Sequence, residues 1–392
     1  MSENIKNKTF MGYRRPNGTV GVRNHVLVLP TVICSARTAL RIANRIPGAV
    51  SFYHEHGCGH LVPDYLRTKR TLIGHGTNPN VASVLVVGLG CEQVTAQEVA
   101  EGIAASGKRV EVLVIQECGG IRKTIKMGRK IVRDMVAEAA KIEREPVPVS
   151  ALILGTECGG SDAMSGLAAN PAIGAAVDRM IAHGGKGILS ETPELIGAEH
   201  VLAERAANDS IRKDILRIVE EVELMAKRVG EDIRGTQPCH GNMEGGLTTI
   251  EEKSLGCVKK GGTYPVQAVI DYAEPVTEPG LTLMNTTGDD VRSIAGMVAG
   301  GSQIVVFTTG RGTPTGSPIA PVIKISSNTE MFKTMRDCID INAGTVVDGI
   351  ETPDEVGERI FQYALEVASG KKTKAELLGQ ADFAIDRLLP SL

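Results

Sequence analysis

From residue 25 to about residue 230, short apolar runs rich in β-branched residues alternate with longer stretches in which apolar residues recur every three or four positions. The runs at 25–32, 49–53, 81–87, 110–115, 149–154 and 187–190 read as buried strands. The stretches at 35–46, 62–74, 95–106, 121–142 and 171–183 read as helices. Near-continuous apolar strands separated by helices predict an α/β fold built on a doubly wound, mostly parallel sheet. After Glu191-Thr192-Pro193-Glu194, an interrupted helical region runs to about residue 229. A break rich in Gly, Pro, Cys and His covers 232–246. It divides the chain into an expected Rossmann-like domain, 1–232, and a second α/β domain, 233–392, whose strand at 304–307 leads into a Gly-rich loop.

Composition narrows the picture. The chain has 392 residues, 42% hydrophobic and 23% charged, as soluble globular proteins do. A net charge of −3 offers no electrostatic case for nucleic acid or an anionic membrane. No apolar run reaches the length of a membrane span, and MSENIKNKTF lacks the apolar core of a signal peptide, so a cytoplasmic protein is expected. Aromatic residues make up 3%, too few for base-stacking platforms. The 8 Cys are therefore either buried small hydrophobes or metal ligands rather than a disulfide framework.

Their placement favours ligands. Cys34, Cys58, Cys91, Cys118 and Cys158 each stand just past an apolar run, so one parallel sheet would gather them along one edge, where open α/β sheets bind ligands. ECGG occurs at both 117–120 and 157–160, the same strand–loop solution used twice. The loop His54-Glu55-His56-Gly57-Cys58-Gly59-His60 holds three imidazoles and a thiol, enough for most of a first-row metal's ligands. Its spacing is neither a zinc finger nor HExxH, and the bland alternative is a polar surface loop. The loop 156–170 combines Cys158, Ser161 and Asp162 with Gly159-Gly160; the alternative there is a tight turn with a buried cysteine. Thr308-Thr309-Gly310-Arg311-Gly312 and the residues after it suit an anion. They are not a Walker A sequence, and no GxGxxG follows the first strand, which leaves a dehydrogenase the weakest option.

The stretches GYRRPNGTVGVRNHVLVLPTV, HGCGH, VGLGCE, ECGGSDAMSGLAANPA, ILSETPELIGAEH, GNMEGGLTTIEEKSLG and FTTGRGTPTGSPIAPVIKISSNT resemble the altronate/galactarate dehydratase family, from about residue 11 to the end. The resemblance implies an iron-dependent lyase that removes water from a sugar acid or sulfite from sulfolactate, giving a 2-keto acid. Loss of sulfite from (2R)-sulfolactate is the first expectation, sugar-acid dehydration the alternative, and a non-catalytic metal-binding subunit the other class. Iron, as Fe2+ or an iron–sulfur cluster, is expected on Cys58, Cys91 and Cys158, with Cys34 as a fourth ligand; Cys118 has no motif support and reads as core. Single-chain members tend to read TYGCSQ where this chain has HEHGCGH. Many carry an antifreeze-like domain before GYRRPNG, so the resemblance implies a large subunit with a separate small subunit of that class. Proton abstraction beside the substrate carboxylate needs a base: His54, His56 and His60 as neutral imidazoles, or Lys253 if burial lowers its pKa. Arg311, Thr308 and Thr309 are candidates for the substrate carboxylate or sulfonate. Asn242, Ser161 and Asp162 are candidates for its hydroxyl groups, with turn stabilisation the alternative for Asn242 and Asp162.

Overall fold

The computed structural model describes residues 8–390 and Leu392; residues 1–7, part of the stretch read as lacking a signal peptide, lie outside the described residues. The first apolar runs form β3 (His25–Pro30), β4 (Ala49–Ser51), β5 (Val81–Gly88) and β6 (Arg109–Val114), joined by α1 (Ile33–Ala43), α2 (Val62–Thr77) and α3 (Ala96–Ala104), with α4 (Ile121–Ala139) following β6. They make a four-stranded parallel sheet in the order β4-β3-β5-β6. Upstream, the segment read as turn-rich contains β1 (Thr9–Arg14) and β2 (Val20–Gly21). These pair antiparallel with β7 (Glu145–Pro148) in the order β2-β1-β7. The strand expected at 149–154 is thus split. Pro146 and Pro148 confine β7 to an edge, since they cannot donate to a ladder on both sides. A turn at Val149–Ala151 then leads into β8 (Ile153–Cys158).

A seven-stranded parallel sheet has the order β10-β11-β9-β8-β12-β13-β14. Besides β8 it contains β9 (Lys186–Leu189), β10 (Val266–Ile270), β11 (Gly280–Met284), β12 (Ile304–Thr309), β13 (Val322–Ser326) and β14 (Ile341–Asn342). It draws strands from both sides of residue 232, where the sequence places a domain boundary. The two parallel sheets instead part between β6 and β8.

Alternation along each strand sorts its side chains to two faces. Val26 and Val28 pack with Ala39 and Ile42 of α1 and Val132 and Met135 of α4. Leu27, Leu29, Val84 and Val86 turn to the opposite face, into one apolar cluster with Val305, Phe307 and Val322 of the large sheet. Leu72, Ile103 and Met297 complete that cluster. The outer face of the large sheet, including Leu154, Ile304 and Ile323, is covered by α5 (Asn170–Ala182) and the helix Pro353–Ala368. Helices therefore lie on both faces of parallel sheets, as a doubly wound α/β fold requires.

Candidate active site

Cys34, Cys58, Cys91 and Cys118 follow β3, β4, β5 and β6, so four of the five cysteines expected on one edge do share one. Cys158 ends β8 in the other sheet. Cys34, Cys58 and Cys91 are exposed free thiols, whereas Cys118 packs against the apolar core. The loops bearing the three exposed thiols are stitched together. Ile33 N–H donates to the His56 carbonyl at 2.9 Å, and the Gln93 and Val94 N–H groups donate to the Gly57 carbonyl at 2.9 and 3.1 Å. Gly57 has φ +106°, and a Cβ there would stand 2.2 Å from the Thr31 carbonyl, so only glycine lets this loop lie against the end of β3. Glu92 fixes the next loop by accepting the N–H groups of Gly90 and Cys91 at 2.6 and 3.0 Å.

The histidines of this rim differ. His54 is buried, with Nε2 2.9 Å from the Pro30 carbonyl and Nδ1 accepting His56 N–H at 3.1 Å. Burial pushes its pKa down to about 4, so it is neutral with both nitrogens spent. His60 is also buried; its Nε2 accepts Gly57 N–H at 3.2 Å and its Nδ1 lies 3.3 Å from Thr68 Oγ1. His56 is half-buried and its Nδ1 has no hydrogen-bond partner. Burial, with His60 and Arg387 nearby, holds its pKa below 6.5.

Cys158 belongs to a second, buried cluster. Its Sγ lies 3.5 Å from that of Cys257, and Glu194 Oε2 accepts from both thiols at 2.9 Å. Lys260, wholly buried, donates to Cys158 Sγ at 2.9 Å and pairs with Glu191. Glu191 has φ +67°, a costly conformation for a residue with a side chain. The hydrogen bond between Cys158 and Cys257, together with burial, pushes the Cys158 thiol up, so Cys158 is a neutral thiol bonded to an ammonium. Cys158, Glu194 and Cys257 bring ligand atoms within 4.8 Å of one another, while Lys260 already occupies one side of the Cys158 sulfur. Lys253 Nζ is 2.7 Å from Glu194 Oε1. Burial opposes its charge, but the neighbouring Glu194 carboxylate favours it and its pKa is raised. Lys253 is therefore a fixed cation, not the deprotonated base that burial alone would create. It borders two cavities, of about 420 Å³ with Glu194 and Thr287, and about 310 Å³ with Ser161, Asp162 and Cys257.

Several other candidates are spent on the fold. Thr308 is buried and donates to Asn170 Oδ1 at 2.8 Å; Thr309 Oγ1 accepts the N–H groups of Gly312 and Thr313 at 2.9 and 3.0 Å. The Thr308 proton is thus spent on Asn170, and the Thr309 oxygen organises the Gly-rich loop. Asp162 accepts from Ser165, Ser327 and Asn328, clasping its loop to β13, the turn-stabilising alternative. Asn242 donates to the Ser161 carbonyl at 2.9 Å and lies 3.4 Å from Lys253 Nζ. Arg311 is exposed and pairs with Glu244 at 2.8 Å. Sequence reasoning missed Cys257, Lys260, Glu157, Glu191, Glu194 and Asp290. Cys257 directly follows the GNMEGGLTTIEEKSLG stretch but ends a helix, not a strand, so the strand-end rule passed over it.

Comparison with known proteins agrees with this architecture. Residues 149–391 match the family described as D-galactarate/Altronate dehydratase, C-terminal, and residues 12–140 match D-galactarate dehydratase/Altronate hydrolase, second domain. The chain belongs to the D-galactarate/altronate dehydratase family. Its two matched regions meet where the two parallel sheets part. Within the family it is 40% identical to (2R)-sulfolactate sulfo-lyase subunit beta of Chromohalobacter salexigens, over 99% of both chains. It is 36% identical to altronate dehydratase of Bacillus subtilis, over 95% of this chain and 76% of that one. It is 34% identical to galactarate dehydratase (L-threo-forming) of Escherichia coli, over 94% of this chain and 74% of that one. The chain is accordingly an enzyme of the lyase class. No helix among the described residues is long and apolar enough to cross a membrane.

Proposed function

We propose that this chain is the large subunit of a cytoplasmic lyase that removes sulfite from (2R)-sulfolactate and leaves pyruvate. The observation that supports this choice is sequence identity, 40% with the sulfo-lyase subunit against 36% and 34% with the altronate and galactarate dehydratases. The name of that relative also supports a partner subunit, here a small one of the antifreeze-like class.

The reaction removes the C2 proton, forms the C2–C3 double bond and expels sulfite from C3. The enol then takes a proton at C3. The C2 proton is only weakly acidic beside an ionised carboxylate, so the site must stabilise the charge that develops. Iron, when bound, supplies a Lewis acid for the substrate carboxylate and 2-hydroxyl. Cys34, Cys58 and Cys91, three exposed thiols on three touching loops, would hold it. His56 takes the C2 proton; it is the one imidazole of the rim with an uncommitted ring nitrogen, and its lowered pKa keeps it neutral near pH 7.

The test is an anaerobic assay of the chain with ferrous iron and its small subunit, on (2R)-sulfolactate and on D-altronate. Sulfite and pyruvate from the first are expected. A 2-keto-3-deoxy acid from the second, with no sulfite from the first, would transfer the assignment to sugar-acid dehydration. Separately, Cys34→Ser, Cys58→Ser and Cys91→Ser should each lower bound iron, measured by metal analysis and visible absorption, while Cys158→Ser keeps it. Iron lost only in Cys158→Ser would overturn the ligand set.

A further inference from the structure

Beside the buried thiols lies a second group of acids that the elimination does not use. Glu157, Glu191 and Asp290 each bring a carboxylate oxygen within 4.8 Å of the other two. Glu157 and Glu191 are wholly buried; Asp290 is partly exposed and opens the group to one side. Asp290 sits over Gly159, where an added Cβ would stand 2.1 Å from its Oδ2, so the glycine of the ECGG loop makes room for it.

The arrangement of donors is directional. Glu157 Oε2 accepts from Ser293 Oγ at 2.7 Å and Ser190 Oγ at 3.2 Å, whereas its Oε1, equally buried, has no hydrogen-bond partner. Glu191 Oε2 accepts Cys158 N–H at 3.0 Å and pairs with Lys260, while its Oε1 has only the Cys158 thiol at 3.8 Å. Each buried carboxylate thus has one oxygen fixed by donors and one with no donor or only a distant thiol, as an outer shell orients metal-binding carboxylates.

Charge points the same way. In the joined cluster, four carboxyl groups (Glu157, Glu191, Glu194, Asp290) meet two ammonium groups (Lys253, Lys260), which leaves two negative charges unbalanced. Lys324, the next cation to feel Asp290, donates to the Thr315 carbonyl. Buried charge must be neutralised, by protons or by a cation. The thiol side of the cluster already holds Lys260 against Cys158 and Lys253 against Glu194. The carboxylate side has the empty oxygens.

We propose that Glu157, Glu191 and Asp290 form a binding site for one hard divalent cation of the Mg2+ or Mn2+ class, separate from the thiol rim and from the elimination reading. All-oxygen donors select such ions over thiophilic ones. The ion would tie the ends of β8 and β9 to the start of the helix Asp290–Ala299. The competing arrangement is a proton shared between Glu157 and Glu191, for which burial and Glu191 raise the pKa of Glu157.

The experiment uses the full chain stripped with EDTA and titrated with Mn2+, read by electron paramagnetic resonance and by melting temperature. One Mn2+ per chain is expected, with Mg2+ as a competitor, and a melting temperature that rises with the ion. Glu157→Gln and Asp290→Asn should weaken Mn2+ at least about tenfold and abolish the rise, while Cys34→Ser leaves both unchanged. The proposal fails if the wild type takes up no stoichiometric Mn2+, or if the two amide variants melt at or above the wild-type temperature with and without Mn2+, the signature of a shared proton. If either variant does not fold, the wild-type stoichiometry and melting shift decide.

Discussion

His54 and His75 show how burial turns a residue from reagent into structure. His75 is wholly buried; its Nδ1 faces the Thr71 carbonyl at 2.9 Å and its Nε2 has no partner. Burial lowers both pKa values from 6.5 to about 4. Only the unfolded chain therefore takes up these protons between pH 6.5 and 4. The contribution to stability is complete above 6.5 and is lost as the pH falls, by about 1.4 kcal/mol per unit for each histidine. Melting temperature should decline over that window, and His75→Phe should flatten the decline; an equal slope in the variant would show that His75 does not titrate this way. The same reasoning separates His56 from its neighbours. Three imidazoles in seven residues are indistinguishable in sequence, because the carbonyl of Pro30 and the hydroxyl of Thr68 that engage two of them come from other segments.

At the scale of the element, strand ends decide which residues meet. The loop after β4 touches the end of β3 only because Gly57 adopts φ +106° against the Thr31 carbonyl. Gly57→Ala should cost about 1–3 kcal/mol and draw the loop away from Ile33 and Gln93. Melting temperature, thiol reactivity and iron content would report it; unchanged values in all three would mean that the rim does not depend on this contact. The positions of strands and helices were legible from apolar periodicity, and so was the rule that cysteines follow strands. What periodicity could not provide was sheet membership. Val149 to Leu154 reads as one run, yet Pro146 and Pro148 assign the residues before it to an edge strand and Ile153 onward to a central one.

Across the whole molecule, two asparagines fasten the sheets together. Asn78 Nδ2 donates to the carbonyls of Val298 and Ser302 at 2.7 and 2.9 Å, and Asn80 Nδ2 to those of Gln303 and Ile319 at 2.9 and 3.0 Å. Asn80 Oδ1 also accepts Val22 N–H at 2.9 Å. Asn80→Ala strands three buried backbone groups and should cost about 3 kcal/mol or more, measured by urea unfolding; a cost below about 1 kcal/mol would mean water replaces the amide. Residues 149–392 expressed alone should aggregate, since Val305, Phe307 and Val322 would lose Leu27, Leu29 and Val84 from the cluster they share. Local order in the chain, through periodicity, turn residues and family motifs, determined the α/β class, the strand-end loops and the lyase chemistry to expect. The tertiary structure alone decided that Cys158 ends a strand of a different sheet from those that precede Cys34, Cys58 and Cys91, that Lys253 pairs with Glu194, and that Glu157, Glu191 and Asp290 converge. Those outcomes depend on burial and on charges brought together from distant parts of the chain, which no local pattern encodes.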